Sequence, residues 1–207
     1  MLASIVRRVP RALSGMSTLR RARRRATEFD SVLAGVDRSG LRDALELGCD
    51  RGSLAAYLCA EYQLRVTGMD SDVKAVEQAA AMFARVPDLQ FETLCADRLS
   101  ASAQSFDLVI WHASAATRVL GPALIDELSR VVRPGGLVVL EHTSVHPWLS
   151  WVRRDGFAAL TPDRLRTQFA DHGLFQMSYP RRGVGLWQRH VLVLQKMAHW
   201  MQPATLA

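Results

Sequence analysis

The sequence of 207 residues predicts an α/β fold, in which strands and helices alternate around a doubly wound, mostly parallel sheet. Three observations support this prediction. Apolar runs of strand length alternate with segments of helical periodicity, as in a parallel sheet that is covered by helices. The run 106–111 is almost continuously apolar, which is typical of a strand buried on both faces. A glycine turn joins the first strand directly to the first long helix.

The first strand is predicted over 43–47, where apolar residues predominate. A short helix over 28–34 precedes it. A longer helix over 53–61 follows it, because apolar residues recur there at i, i+3 and i+4.

The turn between this strand and helix contains Gly48 and Gly52 and follows Glu46. A strand, a glycine turn and a helix place a backbone edge and a positive helix N-terminus against a nucleotide-like ligand. A dinucleotide motif, G-x-G-x-x-G, requires glycine where Asp50 and Ser53 stand, so the spacing excludes an NAD site of that type.

Two further strands lead to acidic residues. The strand predicted over 65–69 is followed by Asp70, and the strand over 89–94 is followed by Asp97, with a helix over 72–84 between them. An acidic residue at the end of the second strand is placed to accept hydrogen bonds from ribose hydroxyls.

The next elements are the buried strand 106–111, a helix over 122–132 and a strand over 136–142, with a Pro-Gly-Gly break before the last. Thr161 as N-cap and Pro162 as first residue predict another helix, which ends at Gly173.

Two strands close the fold. They are predicted over 174–179 and 187–195, separated by a turn rich in arginine and glycine. An antiparallel pairing of these two strands completes the predicted sheet.

Taken in order, these motifs resemble the class I S-adenosylmethionine-dependent methyltransferases, and most closely the small-molecule branch with its motif L-x-R-V-L-R-P-G-G. Residues 128–136 read Leu-Ser-Arg-Val-Val-Arg-Pro-Gly-Gly. The resemblance covers residues 40–196. It implies a Rossmann-like, doubly wound, seven-stranded sheet with an antiparallel C-terminal hairpin, and S-adenosyl-L-methionine as methyl donor.

The resemblance also implies where the cofactor binds. Asp70 corresponds to the family's ribose ligand and Asp97 to its acceptor for the adenine amino group, although either aspartate could instead cap the following turn. The residues predicted to contact the cofactor are Glu46, Gly48, Cys49, Asp50, Gly52, Asp70, Ser71, Ala96, Asp97, Arg98 and Trp111.

Asp50 departs from the family pattern, because it stands where the middle glycine usually lies. Aspartate tolerates a left-handed backbone better than most residues, so the turn can still form. Its carboxylate either faces the ammonium group of the ligand or repels the methionine carboxylate.

Candidate general bases are His112, after the fourth strand, and His142, with His146 just beyond the fifth strand. Each of them could also be a wall residue or a hydrogen-bonded core histidine. There is no Asn/Asp-Pro-Pro-Tyr motif, which argues against methylation of nucleic-acid bases or glutamine.

The segment 142–160 is the predicted substrate cover. It interleaves aromatic residues with arginines and could enclose an aromatic or lipid-like acceptor, or it could be an amphipathic helix that packs on the domain. The residues concerned are Trp148, Trp151, Arg153, Arg154 and Phe157.

The formal net charge of +6 is concentrated at one end of the chain. Residues 1–25 contain eight arginines and no acidic residue, and without them the chain is near −2. We predict an Arg-rich extension over 1–27, a methyltransferase domain over 28–197 and a tail over 198–207. The extension could be a solvated tail, a mitochondrial targeting segment, or a contact to anionic membrane or nucleic acid.

The three cysteines, Cys49, Cys59 and Cys95, lack C-x-x-C spacing, so we expect neither a metal site nor a disulfide framework. A reducing, cytoplasmic compartment is expected, with mitochondria as the alternative.

Three functions remain open. The first and favoured one is O- or C-methylation of a small molecule. The second is methylation of RNA or protein, with the basic extension holding the partner. The third is a non-catalytic scaffold with a methyltransferase fold.

Overall fold

The computed structural model describes residues 29–30, 32–34, 36–95, 98–113, 122–145, 162–178, 181–182 and 187–197. Two compact units divide the chain, Met1–Ala96 and Asp97–Ala207. The predicted extension 1–27, the tail 198–207 and the predicted N-cap Thr161 lie outside the described residues.

The first unit contains a three-stranded parallel sheet. Its strands are β1 (Asp43–Leu47), β2 (Arg65–Asp70) and β3 (Leu89–Thr93), and β2 lies between the other two. Two helices connect them, α1 (Ser53–Tyr62) and α2 (Val73–Phe83). Leu47 pairs with Met69, and Asp70 pairs with Thr93, so the carboxyl ends of the three strands share one edge.

Apolar residues of the strands and helices form the core of this unit, and β1 and β2 are buried almost continuously along their length. The largest fully buried side chains are Leu33, Leu45, Leu47, Leu54, Leu58, Met69 and Phe83. An aspartate caps α2, since the carboxylate of Asp72 accepts from the backbone amides of Lys74 and Ala75 at 3.0 and 3.3 Å.

The N-terminal part of the unit is attached to α1 through Asp30. The short helix predicted over 28–34 agrees with the structure, in which four residues of this range are helical: Phe29, Asp30, Val32 and Leu33. One carboxylate oxygen of Asp30 accepts from the Tyr57 hydroxyl at 2.9 Å, and the other accepts from the Tyr62 hydroxyl. Burial raises the pKa of both phenols, so they stay protonated donors.

The second unit contains a mixed sheet. In chain order its elements are β4 (Phe106–Ala113), α3 (Pro122–Val131), β5 (Val132–Val145), α4 (Pro162–Asp171), β6 (Leu174–Ser178), β7 (Arg181–Arg182) and β8 (Trp187–Lys196). Strands β4 and β5 are parallel, and β8 runs antiparallel between β5 and β6. The two-residue β7 also pairs with β8.

β5 differs from its prediction, because it begins at Val132 and contains the Pro-Gly-Gly motif instead of following it. Phe106 pairs with Val132, whereas Leu108 pairs with Leu137, so residues 133–136 are accommodated as a bulge. The positive φ of 81° at Gly135 lets the backbone make this excursion.

The predicted fold class is confirmed. In the part of the chain that the structure describes, seven strands have five residues or more, and they alternate with helices in a Rossmann-like α/β arrangement with an antiparallel C-terminal pairing. The observed bounds of α1 and β1 match the prediction to within one residue. None of the described helices has the length and apolarity needed to cross a membrane.

Candidate functional site

The turn after β1 is built from left-handed residues. Gly48, Asp50 and Gly52 have φ values of 77°, 49° and 72°. The expectation that Asp50 adopts this conformation is confirmed. The amides of Gly48 and Cys49 both donate to the carbonyl of Met69, at 2.8 and 3.1 Å, which attaches the turn to the end of β2.

The Phe91 ring packs so closely against two glycines of this region that neither position has room for a side chain. A Cβ atom added at Gly52 meets the ring at 2.4 Å, and one added at Gly68 meets it at 2.7 Å. Sequence analysis did not single out Gly68 or Phe91, although a glycine within a strand is a signal of close packing. These contacts fix the backbone of the turn directly before α1.

Asp70 binds backbone with both carboxylate oxygens. Oδ2 accepts from the Asp50 amide at 2.8 Å, and Oδ1 accepts from the Asp72 amide at 3.0 Å. An ionised carboxylate offers about four lone-pair sites, so it retains capacity to accept from further donors such as ribose hydroxyls. Ser71, next in sequence, is exposed. Asp70 therefore orders the turn, and its predicted contact with ribose stays a prediction.

The N-cap residue of α1 is Gly52. Since glycine has no side chain, the N-cap residue makes no side-chain hydrogen bond to the helix. The first intrahelical bond of this turn runs from the Ala56 amide to the Gly52 carbonyl, at 3.0 Å. The amides of residues 53–55 and the helix dipole therefore present a positive end suited to a carboxylate.

Glu46 and Cys49 are buried beside this turn. Burial raises the pKa of the Cys49 thiol, and the negative charges of Glu46 and Asp70 raise it further. The thiol therefore stays protonated at neutral pH and serves as a small, non-nucleophilic side chain, as expected from its position.

In the second unit, His112 pairs with Glu141. The two residues are neighbours in the parallel register of β4 and β5, close to the carboxyl end of β4. His112 Nδ1 lies 3.2 Å from Glu141 Oε2, and the side chains are 11% and 23% exposed. Sequence analysis missed Glu141. The signal was its position directly after the apolar run of β5, beside a candidate base.

The other predicted residues of this unit have varied positions. Trp111 is buried in the unit, and Arg98 is exposed. The backbone of His142 lies in β5, paired with Ala113 and His190. Outside the described residues are Ala96, Asp97, His146 and the part of the predicted cover from 146 to 160.

A family model described as a methyltransferase domain matches residues 44–136. The matched stretch runs from β1 through the glycine turn, Asp70, His112 and α3 to the Pro-Gly-Gly motif. Over these residues the chain carries a methyltransferase domain, in agreement with the resemblance to the class I, S-adenosylmethionine-dependent family.

Solved structures share the fold of this methyltransferase domain at low sequence identity. A SAM-dependent methyltransferase from Methanosarcina mazei is 20% identical, with a TM-score of 0.62 over 76% of this chain and 93% of that chain. Geranyl diphosphate C-methyltransferase from Streptomyces coelicolor A3(2), in complex with Mg²⁺, geranyl diphosphate and S-adenosyl-L-homocysteine, is 14% identical. Its TM-score is 0.69 over 87% and 82% of the two chains.

The same fold also occurs in a protein with another reaction. The [4+2]-cyclase SpnF is 15% identical, with a TM-score of 0.68 over 84% of this chain and 80% of that chain. No protein of curated function matches the chain in sequence. The likeness therefore shows the fold, and the acceptor has to be argued from the residues of the methyltransferase domain.

The first unit of the methyltransferase domain fits S-adenosylmethionine. Gly52 keeps the turn free of a side chain, and the amides of residues 53–55, at the positive end of the α1 dipole, suit the methionine carboxylate. The Asp70 carboxylate retains acceptor capacity for ribose. The donor set therefore agrees with the chemistry of this cofactor.

Proposed function

We propose that the protein transfers a methyl group from S-adenosyl-L-methionine to an oxygen or carbon atom of a small-molecule acceptor. The observation that carries the proposal is the pairing of His112 with Glu141 near the carboxyl end of β4. Ligands of open α/β sheets bind outside the carboxyl ends of the strands. A base at that edge can deprotonate a hydroxyl or an activated carbon.

The carboxylate of Glu141 determines which nitrogen of His112 can act as base. An ionised carboxylate only accepts hydrogen bonds, so the bond to Glu141 requires the proton on Nδ1 of His112. In the neutral imidazole, Nε2 then carries the lone pair. Low exposure of His112 also limits competition from water.

The roles of the first unit follow from its contacts. S-adenosylmethionine supplies a methyl group already activated by its sulfonium. The α1 N-terminus orients the methionine carboxylate, and Asp70 orients the ribose while it holds the turn through Asp50. Such alignment can lower the activation free energy of a reaction between two molecules by about 7–11 kcal/mol.

A small acceptor is favoured by the charge distribution. Without residues 1–25 the chain is near −2, so its main part offers no electrostatic attraction for RNA. We propose a cytoplasmic location, with mitochondria as the alternative if the Arg-rich extension is a targeting segment.

The first experiment is calorimetric titration of S-adenosylmethionine and S-adenosylhomocysteine into the full chain. We expect micromolar binding, equivalent to about −8 kcal/mol, and its loss in Asp70→Ala. Asp43→Ala is the matched control. Asp43 pairs with Arg65 at 2.7 Å, and both residues lie at the amino-terminal ends of their strands, away from the glycine turn and Asp70. Absence of binding by the folded wild type would favour the non-catalytic scaffold.

The second experiment concerns the acceptor. Formation of S-adenosylhomocysteine is measured with phenols, hydroxy acids and lipid-like acids, with the wild type and His112→Asn. The proposal expects turnover that His112→Asn abolishes without loss of cofactor binding. Turnover on RNA or protein alone, steeply salt-dependent and lost without residues 1–25, would support the alternative function instead.

A further inference from the structure

Strands β5 and β8 extend beyond the carboxyl end of β4. Among the described residues, the pairing of β4 with β5 ends at Ala113 and His142. The antiparallel pairing of β5 with β8 continues for three more residues of β5, to Val145 and Trp187. At about 3.3 Å per residue, this two-stranded extension reaches about 10 Å past the last pair with β4. Since ligands of open α/β sheets bind outside the carboxyl ends of the strands, the extension borders the place for an acceptor.

Two arginine positions are neighbours in this extension. Arg189 of β8 pairs with Thr143 of β5 on one side and with Arg182 of β7 on the other. The three residues therefore form one row across three strands. Like charges directly opposite each other on neighbouring strands destabilise a sheet. A bound anion removes this repulsion, so the row is suited to a negatively charged ligand.

The arginine row lies on the face of the sheet that carries the pair of His112 and Glu141. Glu141 precedes Thr143 by two residues in β5, and residues two apart in a strand lie on the same face. Glu141 is also the register partner of His112, whose Nδ1 lies 3.2 Å from Glu141 Oε2. Along these described rows the face has one carboxylate position and two arginine positions, so its charge is positive when His112 is neutral.

The arginine row and the proposed base are separated by the length of a small molecule. Arg189 is two strands and two residues away from His112. With strands about 4.8 Å apart and a rise of about 3.3 Å per residue, the two backbone positions are about 12 Å apart. An acceptor that contacts both residues has its anionic group several bonds away from the atom that receives the methyl group.

The connections that follow these strands in sequence are also rich in arginine. Residues 114–121 follow β4, 146–161 follow β5 and 179–186 follow β6, and the three strands are parallel to one another. Together the connections contain five arginines and one acidic residue, Asp155, whereas the chain beyond residue 25 is near −2 as a whole. Charge of one sign at one edge of a sheet attracts ligands of the opposite sign.

We propose that Arg182 and Arg189 bind an anionic group of the methyl acceptor, a carboxylate or a phosphate. A guanidinium binds either group through two parallel hydrogen bonds. The acceptor is then an acid whose anionic end lies at the arginine row and whose nucleophilic atom lies at His112. The inference rests on the proposed function, since it needs His112 to act on the acceptor.

The test uses three probes that share a phenol and a one-carbon spacer. They are 4-hydroxyphenylacetate, 4-hydroxybenzylphosphonate and the neutral 4-hydroxyphenylacetamide. Calorimetry measures their Kd values for the full chain saturated with S-adenosylhomocysteine. The wild type is expected to bind one of the acids at least about tenfold more tightly than the amide, the effect of one charge-assisted hydrogen bond. The tighter of the two acids identifies the group as carboxylate or phosphate.

Substitutions in the arginine row should remove this preference. In Arg182→Gln and in Arg189→Gln the preference for the acid should fall below about threefold, because binding of the acid weakens while binding of the amide does not. Arg189→Lys keeps the charge but cannot form two parallel bonds, so it should lie between the wild type and Arg189→Gln.

Arg181→Gln is the matched control. Arg181 is the other residue of β7 and pairs with His190, so it lies on the opposite face from Arg182. The substitution removes the same charge from the same strand and should keep the wild-type preference. An equal loss of preference in Arg181→Gln, or an unchanged preference in folded Arg189→Gln, overturns the inference.

Inorganic phosphate tests the anion site without an acceptor. Phosphate should raise the urea midpoint of the wild type and of Arg181→Gln more than that of Arg182→Gln, since an anion bound only by the folded chain stabilises it. In phosphate-free buffer Arg182→Gln should be at least as stable as the wild type, because it removes a like-charged neighbour. A lower midpoint there, or an equal response of all three proteins to phosphate, overturns the inference.

Failure of the inference is distinguishable from failure of the proposed function. A wild type that binds S-adenosylhomocysteine but binds the acids no better than the amide, or binds none of the probes, overturns the inference and leaves the proposed function intact. A wild type that does not bind S-adenosylhomocysteine contradicts the proposed function itself.

Discussion

The backbone amide of Asp50 donates to Asp70 Oδ2 at 2.8 Å, across twenty positions of sequence. The residue in place of the usual middle glycine is therefore held by the carboxylate predicted to bind ribose. Loss of Asp70 should affect both the ligand and the turn that receives it. For that reason the turn needs its own test, in which Asp70 is left unchanged.

Substitutions at Asp50 provide that test. Its φ of 49° lies in the left-handed region, which costs a non-glycine residue about 1–2 kcal/mol. Asp50→Gly should raise the free energy of unfolding by up to about 1 kcal/mol, and Asp50→Ala should lower it by a similar amount. Urea unfolding measures both changes. A less stable Asp50→Gly would show that the carboxylate stabilises the turn by more than its backbone conformation costs.

Gly52→Ala should damage the turn more severely. The new Cβ lies 2.4 Å from the Phe91 ring, so overpacking of about 1–3 kcal/mol adds to the cost of a φ of 72°. We expect a lower urea midpoint and at least tenfold weaker binding of S-adenosylhomocysteine. The double variant Gly52→Ala/Phe91→Ala should recover the steric part of this loss relative to Phe91→Ala alone.

Two other glycines separate the contributions at Gly52. Gly135 has a φ of 81° but open space around an added Cβ, and Gly40 has the space without the positive φ. Gly135→Ala should therefore show only the backbone cost, and Gly40→Ala neither cost. A similar loss of stability in Gly52→Ala and Gly135→Ala would contradict the role given to Phe91.

Local sequence signals predicted the elements well because their periodicity and caps act over a few residues. Strand β1, helix α1 and the first residue of α4 follow directly from apolar spacing, the glycine turn and Pro162. The start of β5 was missed for the opposite reason. Its first residues pair with β4, and that pairing outweighs the local tendency of Pro134-Gly135 to end a strand.

Part of the candidate site could also be predicted from sequence. The glycine turn after β1 and the end of β2 were both identified from sequence, and the structure brings them together. The residues concerned are Gly48, Asp50, Gly52 and Asp70. The pairing of Glu141 with His112 could not be predicted this way, because it joins residues 29 positions apart and depends on the register of β4 and β5. Long-range partners of this kind need a tertiary structure.

The ion pair between Glu127 and Arg130 on α3, with Arg130 Nη2 2.7 Å from Glu127 Oε2, should make the free energy of unfolding depend on pH in the acid range. Hydrogen bonds from Arg130 lower the pKa of Glu127 from 4.5 to about 2. A carboxylate whose pKa is lowered in the folded protein stabilises the fold at pH values above its pKa in the unfolded chain. This stabilisation is lost as the pH falls from about 4.5 toward 2. Since Arg130 is 35% exposed, we expect screening to reduce the contribution to about 1 kcal/mol.

Urea unfolding of the wild type and Glu127→Gln between pH 6 and pH 3 measures this contribution. The difference in stability between the two proteins should shrink as the pH is lowered, because the wild-type carboxylate becomes protonated. In an Arg130→Gln background the same comparison should show little pH dependence. A constant difference across this range would mean that the ion pair contributes nothing to folding.

Removal of the Glu141 carboxylate should change the tautomer of the neutral His112 imidazole. In the wild type the bond to Glu141 keeps the proton of the neutral imidazole on Nδ1, whereas Glu141→Ala leaves the ring free to place it on Nε2. Nitrogen-15 chemical shifts distinguish the two tautomers. His172, whose Nδ1 pairs with Asp126 at 2.7 Å, is an internal control that should not change.

The same variant links this tautomer to catalysis. A proton on Nε2 removes the lone pair that the proposed base requires, and general-base catalysis contributes roughly 10²- to 10⁴-fold to a rate. Once an acceptor is known, Glu141→Ala should lower kcat by at least about tenfold, with the Kd for S-adenosylhomocysteine unchanged within about twofold. A tautomer shift without a fall in kcat would remove His112 from the mechanism, and the methyl transfer would then depend on alignment alone.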